Sequence, residues 1–595
     1  MFLKSDVQDL WQGWMPTTPC ACCSPIIAKL NSLMKVDDVL LGNAQHWRNA
    51  APPLPEISTG TQIFVNARIY TFDEKFSECD ALAIADGKIL GTGSAEALKG
   101  QFEQAEIVDC GGGTILPGFI EPHMHFLPIA TIGQFSDVGP FRFVKVDDAL
   151  AHLKTLLPDL KPKQWLVARQ FDPSLQEGPD VLTRQMLDRV SEQHPILVYN
   201  ASLHFAYCNT AALELAGIDE NTPDVSGSSF GRDSDGKPNG VLQGGFAMSQ
   251  VAKHNSGQTD YDLTEACLNV CRRANTVGVT TFCDQATGMS RGVKELDLYR
   301  ALAESGRMSA RLRYSLSYAL QEKWDMTDAK PGDGDAMARL TAWKIVADGS
   351  NQGFSGLQRE PYLNSVSRGV AYVEPAVLIE MVKDRAGRGW PLAIHANGDQ
   401  AIDHVLDAYE AADAAGLLTN GPYRIEHCSI LHDEQIDRIK RLGLSPSFLI
   451  GHVYYWGKAM RDKVFGAQKA SLLDRTQACE EKGIRWTLHS DEPVTEMGPL
   501  RCIQNAVTRD MWREKGSKLA ANEAVDVRAA IRAMTIDAAW QCHSDHEVGS
   551  LEAGKFADFV VLESDPHTCP AEKISDISVL ETWMGGRKVF DQSTM

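Results

Sequence analysis

The chain has little of what would tie it to a membrane, to nucleic acid or to an oxidising compartment. None of its 595 residues belongs to an unbroken apolar run of the roughly 18 residues that a membrane helix needs. The start, "MFLKSDVQDLWQGWMPTTPCACCSP", lacks the apolar core of a signal peptide. Basic residues are in deficit, 58 against 78 acidic, for a net charge of -20. Nucleic-acid binding rests on neutralising phosphates with Lys and Arg, so that charge disfavours it. The 14 cysteines fall at irregular spacing and suggest no disulfide scaffold. Internal repeats and long low-complexity tracts are missing too. These absences predict a cytoplasmic protein with reduced thiols, no membrane and no nucleic-acid partner. Its partner would be a small-molecule substrate, and a homodimer is the default assembly.

What is present is a change of pattern along the chain. Residues 1–56 read as an N-terminal extension ending in "NAAPPLPEISTG", with Cys20, Cys22 and Cys23 close together and no second Cys or His group nearby. Residues 57–115 carry short strands broken by Gly and Asp-Gly turns, as in "ALAIADGKILGTG". Residues 545–595 resume that style in "VGSLEAGKFADFVVLESDP", so the two ends are expected to complete one β-sandwich. Between them apolar strand-like runs alternate with helical stretches, the pattern of βα units. Eight such runs stand out: "FIEPHMH", "GVTTFCDQ", "RLRYSLSY", "TAWKIVADGS", "PLAIHANGD", "YRIEHCSI", "LSPSFL" and "IRWTLHSDEP". Eight strands joined by helices predict an α/β fold, a (β/α)8 TIM-type barrel over residues 116–126 and 266–544. The stretch 127–265 is too long for one connection and has strand-like runs of its own. It is expected to be an insertion domain after the first barrel strand, covering the barrel mouth.

In a TIM-type barrel the chemistry sits where the strands end. The first strand ends on His123 and His125, two imidazoles on one side of a strand. Later strands supply Lys344, His395, His427 and Asp491. Each has a plainer explanation taken singly: a hydrogen-bonded core histidine, a surface ammonium, a helix cap. Six of them in order on strands of one barrel point to metal instead. A lysine among metal ligands repels cations unless CO2 has added to its amine, giving a carbamate that bridges two ions.

Several stretches are similar to one family: "LPGFIEPHMH", "SLHFAYCNTAAL", "GRDSDGKPNGVL", "WKIVADGSNQG", "IHANGDQAIDHVL", "RIEHC", "HSDEPV" and "GSLEAGKFADFVVL". The chain resembles the amidohydrolase superfamily, in the family 3 branch that includes N-substituted formamide deformylases, over roughly residues 60–595. The resemblance implies two divalent metal ions, zinc the first candidate. His123 and His125 would hold one and His395 and His427 the other, with carbamylated Lys344 between them and Asp491 on the first. It departs from the branch at Gln243, where Glu is expected, and in its extension. The reaction expected is hydrolysis of a carbon–nitrogen bond in an amide, N-formyl or cyclic amide by a metal-bound hydroxide. Asp491 would be the catalytic residue that takes a proton and passes it to the departing amine.

Substrate contacts are expected from His204 and from Phe171 and Asp172 in the insertion, and from His452 after the seventh strand. His489, two residues before Asp491, points to the same side but deeper and is expected to support a ligand. The aromatics Tyr454, Tyr455, Trp456 and Phe354 would form an apolar wall or simply pack. A mononuclear deaminase is the nearer alternative. It would want Glu three residues after His395, where the chain has Gly398 followed by Asp399. A barrel that has lost catalysis and only binds is the more distant one, and it would show a broken ligand set.

Overall fold

A computed structural model describes residues 53–58, 60–172, 175–179, 181–201, 205–225, 228–255 and 263–594. Cys20, Cys22, Cys23 and His204 lie outside the described residues. The centre of the molecule is an eight-stranded parallel sheet. Its strands are β1 (Phe119–Met124), β2 (Val279–Thr287), β3 (Arg311–Ser317), β4 (Ala338–Val346), β5 (Leu392–Ala396), β6 (Arg424–His427), β7 (Ser445–Phe448) and β8 (Thr487–Leu488). They pair in chain order, each beside the next. The sheet curls until its ends meet: the Asp491 N–H donates to the His123 carbonyl at 3.2 Å and the His125 N–H to the Glu492 carbonyl at 2.9 Å. Glu121 strengthens that seam, accepting from the Ser490 hydroxyl at 2.7 Å and from its backbone N–H at 3.2 Å. The result is a nearly closed parallel barrel, and the eight runs read from the sequence are its eight strands.

Local sequence explains why these segments behave as they do. In β2 every residue is buried, which suits a parallel strand with side chains inside and helices outside. The helix Asp433–Leu442 shows a complete set of end signals. Asp433 and Glu434 fill its first turn, Lys440 and Arg441 its last, and Gly443 ends it at φ 64°, in the left-handed region.

Two further sheets come from the chain ends. One has the order Lys88–Gly93, Ala81–Ala85, Gln62–Val65, Glu106–Asp109. The other runs Arg587–Asp591, Val579–Met584, Phe559–Leu562, Thr114–Pro117, Arg68–Tyr70, Glu78–Cys79. Phe64, Leu82 and Ile89 of the first share a hydrophobic cluster with Ile115, Phe559 and Trp583 of the second. The strand Thr114–Pro117 runs two residues past the boundary expected at 115. Nothing in "TILPGFI" breaks the apolar run until Gly118, where the chain passes into β1 so close to its neighbour that a Cβ would lie 2.3 Å from the Thr280 hydroxyl.

Between β1 and β2 the chain forms a six-stranded sheet. It has the order Ser229–Arg232, Pro238–Gln243, Phe205–Cys208, Ile196–Asn200, Leu166–Phe171, Ser136–Asp137. Alternation is strict: Val167, Leu197 and Tyr199 enter one hydrophobic cluster, while Leu166, Ala168, Ile196 and Val198 enter another. A period of two places successive residues on opposite faces, so this sheet is covered on both. Among the described residues, no helix is long and apolar enough to cross a membrane.

Candidate metal centre

The ends of β1, β4, β5, β6 and β8 bring five of the expected residues to one side of the barrel, and the turn after β1 adds the sixth. His123 is the fifth residue of β1, and His125 follows it as the residue that opens the helix Phe126–Thr131. Lys344 lies in β4 level with Ala393 of β5, and His395 lies level with Val346. His427 ends β6 opposite Ala396. All six are at most 2% exposed. His427 and Asp491 hold φ at 66° and 55°, in the left-handed region that L-residues avoid. Backbone held there at strand ends turns side chains out of the regular alternation, and such positions cluster at functional sites.

His123, His125 and Asp491 form a compact group whose ligand atoms all lie within 4.8 Å of one another. The Asp491 Oδ1 is 3.4 Å from His123 Nε2 and 3.2 Å from His125 Nε2, and its Oδ2 is 4.0 Å from His427 Nδ1. His427 sits ring to ring with His395 at 4.4 Å and with His123 at 5.0 Å between centroids. His489 stacks on His123 at 4.6 Å, and its Nε2–H donates to the Ser447 carbonyl, 3.2 Å away.

The protonation state of this cluster follows from burial. His123 is held well below the ordinary histidine range by desolvation first and by Lys344 and neighbouring rings next. Burial, then His395, His489 and Lys344, do the same to His427. Buried imidazoles of this kind are neutral, with a lone pair to offer. Which nitrogen offers it can be traced. His123 Nδ1 is 2.5 Å from Glu426 Oε2, so Nδ1–H is the donor and Nε2 is left as the acceptor nitrogen. That Nε2 makes no hydrogen bond although it is buried. His395 Nε2 faces the Gly349 carbonyl at 3.2 Å, the Asn397 amide nitrogen at 3.1 Å and Asp348 at 3.4 Å, contacts that fix the orientation of its ring.

The donor set fits a divalent cation: neutral imidazoles and a carboxylate converge away from water. Lys344 adds a second indication. Its Nζ is fully buried and has no hydrogen-bond partner, an expensive state for an ammonium group. The same is true of both ring nitrogens of His427. Polar atoms left this way in a buried, polar cluster fit a group that binds them.

Around the candidate ligands stand residues that the sequence does not single out. Glu426 bridges His123 and the buried Arg424, whose Nε and Nη2 reach it at 2.7 and 3.0 Å. Asp348 accepts from the backbone N–H groups of Leu357, Asn397 and Gly398 at 2.8 to 2.9 Å, beside His395. Asp284 accepts from Phe126 N at 3.1 Å and from the Tyr299 hydroxyl at 2.7 Å, fixing the turn that carries His125. One signal was available for the first of these. Arg424 and Glu426 stand two apart in an apolar strand, hence on one face, and a charge pair there must be buried together.

The expected substrate contacts divide. His452 lies in the helix Gly451–Ala459, 1% exposed, with Nδ1 3.3 Å from the Ser429 hydroxyl. Burial, then His395, lowers it to about 3, so it is neutral. Phe171 is 1% exposed and packs edge to face on Tyr207 at 5.2 Å, inside the core of the inserted sheet. Asp172 is half-buried and its N–H donates to Gln176 Oε1 at 2.9 Å. Just before them Gln170 reaches from the inserted sheet to the Pro493 carbonyl, 2.5 Å away and two residues past Asp491. The aromatics of the helix Gly451–Ala459 join the same contact. Tyr455 packs on Phe141 of the insertion at 4.0 Å, and both help line a cavity of about 500 Å³ with Tyr454, Arg501 and Trp512.

Comparison with known proteins agrees with this architecture. Putative amidohydrolase YtcJ of Bacillus subtilis (strain 168) is 28% identical over 537 residues, spanning 88% of this chain and 98% of that protein. N-substituted formamide deformylase of Arthrobacter pascens is 28% identical over 546 residues, spanning 88% of this chain and 97% of the other. The crystal structure of an uncharacterized metal-dependent hydrolase from Pyrococcus horikoshii OT3 superposes with a TM-score of 0.68 at 21% identity, over 86% of this chain and 99% of that one, a likeness of fold. The model of the amidohydrolase family matches residues 106–590, which include all eight barrel strands and the inserted sheet, and the chain belongs to that family.

Proposed function

We propose that the protein is a metal-dependent hydrolase of a carbon–nitrogen bond outside peptides, in an amide, an N-formyl group or a cyclic amide. The observation that carries this reading is the buried His123, His125 and Asp491 group with the hydrogen-bond-free Lys344 Nζ beside the histidine cluster. His123, His125 and Asp491 would hold one divalent ion, zinc the first candidate. His395 and His427 would hold a second, and Lys344 as its carbamate would supply an oxygen to each. Metal ions in such a place acidify water and polarise a carbonyl.

The chain's own groups supply the rest. Glu426, held by Arg424, keeps the His123 proton on Nδ1 and the ring in one orientation. Asp348 and the Gly349 carbonyl hold the His395 ring in one orientation. Asp491 takes a proton from the attacking water on one carboxylate oxygen and delivers it to the leaving nitrogen. The Ser429 hydroxyl donates to Asn397 Oδ1 at 2.8 Å, so His452 Nδ1–H donates to Ser429 and its Nε2 is an acceptor. A neutral acceptor there suits the N–H of an amide better than its carbonyl oxygen. Burial of every ligand keeps competing water out.

The test is metal content per chain for wild type and Lys344→Ala, purified without chelator and with bicarbonate present. The reading expects about two ions in wild type and fewer in the variant, with hydrolysis somewhere in a panel of N-formyl, N-acyl and cyclic amides. One ion, unchanged by the substitution, would remove Lys344 as a bridge and favour the mononuclear deaminase.

A further inference from the structure

The loop that leaves the metal centre after β4 carries one residue that packing does not account for. Asp348 and Gly349 still touch His395, and the chain then makes a compact turn from Ser350 to Gly356. That turn is rigid. Ser355 and Gly356 both donate to the Ser350 carbonyl at 3.0 Å, and Phe354 donates to the Asn351 carbonyl at 3.1 Å. Asn351, fully buried, ties the turn to the Asn397 carbonyl at 3.1 Å and accepts from Gln358 at 2.8 Å. At its tip Phe354 is 45% exposed, and its backbone sits at φ 54°.

Both features are unfavourable. A large apolar ring on the surface stays in contact with water, and the left-handed region is strained for any residue with a Cβ. The chain has a cheaper arrangement within reach, because Gly353 stands one position earlier and does not occupy the left-handed region. Instead the strain falls on the aromatic residue and turns its ring outward. The ring rests edge to face on Tyr362 at 5.2 Å between centroids. Tyr362 is itself immobile: 2% exposed, its hydroxyl donating to the Gly356 carbonyl at 2.6 Å, its ring stacked on Phe465. The ring therefore has a buried aromatic neighbour as a fixed base and a solvent-exposed side, on the loop that leaves the end of β4 beside His395.

We propose that Phe354 is a specificity-determining residue whose open ring receives an apolar, ring-sized substituent of the substrate, with the reacting bond at the metal centre. The proposal rests on the hydrolase reading above. Strain at the tip of a rigid loop holds a recognition ring in place without paying for its ordering when the substrate arrives.

The experiment compares N-phenethylformamide with N-methylformamide on metal-loaded wild type, Phe354→Ala, Phe354→Tyr and Phe354→Gly. It measures binding by calorimetry, kcat and KM by amine release, and thermal melting. Phe354→Ala is expected to weaken binding and raise KM roughly tenfold for the phenethyl compound, the loss of one ring-to-ring contact. The methyl compound and both kcat values should hold within about twofold. Phe354→Tyr should restore the phenethyl preference. Phe354→Gly should lose it while melting no lower than wild type, because glycine relieves the backbone. Equal changes for both compounds, no change for either, or no binding of the phenethyl compound to wild type would overturn the proposal. So would a lower melting temperature for Phe354→Gly with both compounds weakened alike, since that is a packing residue's signature. Preferential binding lost in Phe354→Ala with no turnover in wild type would uphold Phe354 and defeat the formamide reading alone.

Discussion

Replacing Glu426 by Gln probes the centre without touching a proposed metal ligand. Glu426 is fully buried between His123 Nδ1 at 2.5 Å and the Arg424 guanidinium at 2.7 Å. The substitution keeps the shape and removes the charge. Two losses follow, and they differ in size. The charge-assisted hydrogen bond that orients His123 becomes a neutral one of about half the strength. Partners of this kind behind a metal ligand are worth roughly 10- to 100-fold in metal affinity, about 1.4 to 2.8 kcal/mol. Arg424, 2% exposed, loses its counter-ion and keeps only the Pro122 carbonyl and a weak contact with Cys542. Breaking one side of a buried pair costs about 3 to 5 kcal/mol, so folding should suffer more than metal binding. A double variant separates the two. Arg424→Met with Glu426→Leu leaves no unpaired charge, and such replacements are often neutral. It should regain most of the stability while metal affinity stays low, because with leucine at 426 the His123 Nδ1–H has no acceptor at all. Zinc titration against a chromophoric chelator and thermal melting of the metal-free protein read the two effects. The reasoning is refuted if Glu426→Gln binds zinc within about twofold of wild type, or if the double variant regains affinity along with stability.

Asp491→Asn keeps the size of the side chain and removes its basicity. It should lower kcat by roughly 10²- to 10⁴-fold, and full activity at wild-type metal content would take Asp491 off the proton path. Chelation should abolish hydrolysis and zinc should restore it; an enzyme indifferent to a chelator at zero measured metal would contradict the reading. Asp399 offers a test of folding at low pH. Burial pushes it up, yet hydrogen bonds from His432 at 3.0 Å and Arg359 N at 2.8 Å and the Lys469 ion pair at 2.9 Å outweigh that and leave it at about 2. Its folded value lies below the ordinary 3.8, so its stabilisation is present above pH 3.8 and lost as pH falls through 2. Asp399→Asn should cost about 2 kcal/mol at neutral pH and almost nothing near pH 2, read from denaturant midpoints at the two values. A pH-independent cost would mean that shape, not charge, holds the site.

Much of this was legible in one dimension because the signals were local. Several barrel strands are short apolar runs with a histidine at or just past their end, so β1 announces His123 and His125 and β5 announces His395. A strand's period of two also separates the inserted sheet into two buried faces, visible in the alternation of Leu166, Val167 and Ala168. Glu426, Asp348 and Asp284 stayed hidden for the opposite reason. A carboxylate that orients a ligand is recognised by its partner, and Glu426 meets its partner 303 positions away. Phe171 shows the limit from the other side: next to a strand end it read as an entrance residue, and in the structure its ring packs on Tyr207.

By itself, then, the order of residues determined the alternating βα framework, its eight strands and the kind of chemistry their ends can do, because hydrophobic period and residue type act over a few positions. Only the tertiary structure decided which nitrogen of His123 carries the proton, that Lys344 is buried without a hydrogen bond, and that Phe354 turns its ring outward on strained backbone. Those depend on barrel closure, which joins β8 to β1 and sets groups hundreds of residues apart within hydrogen-bond distance in a space that water does not reach.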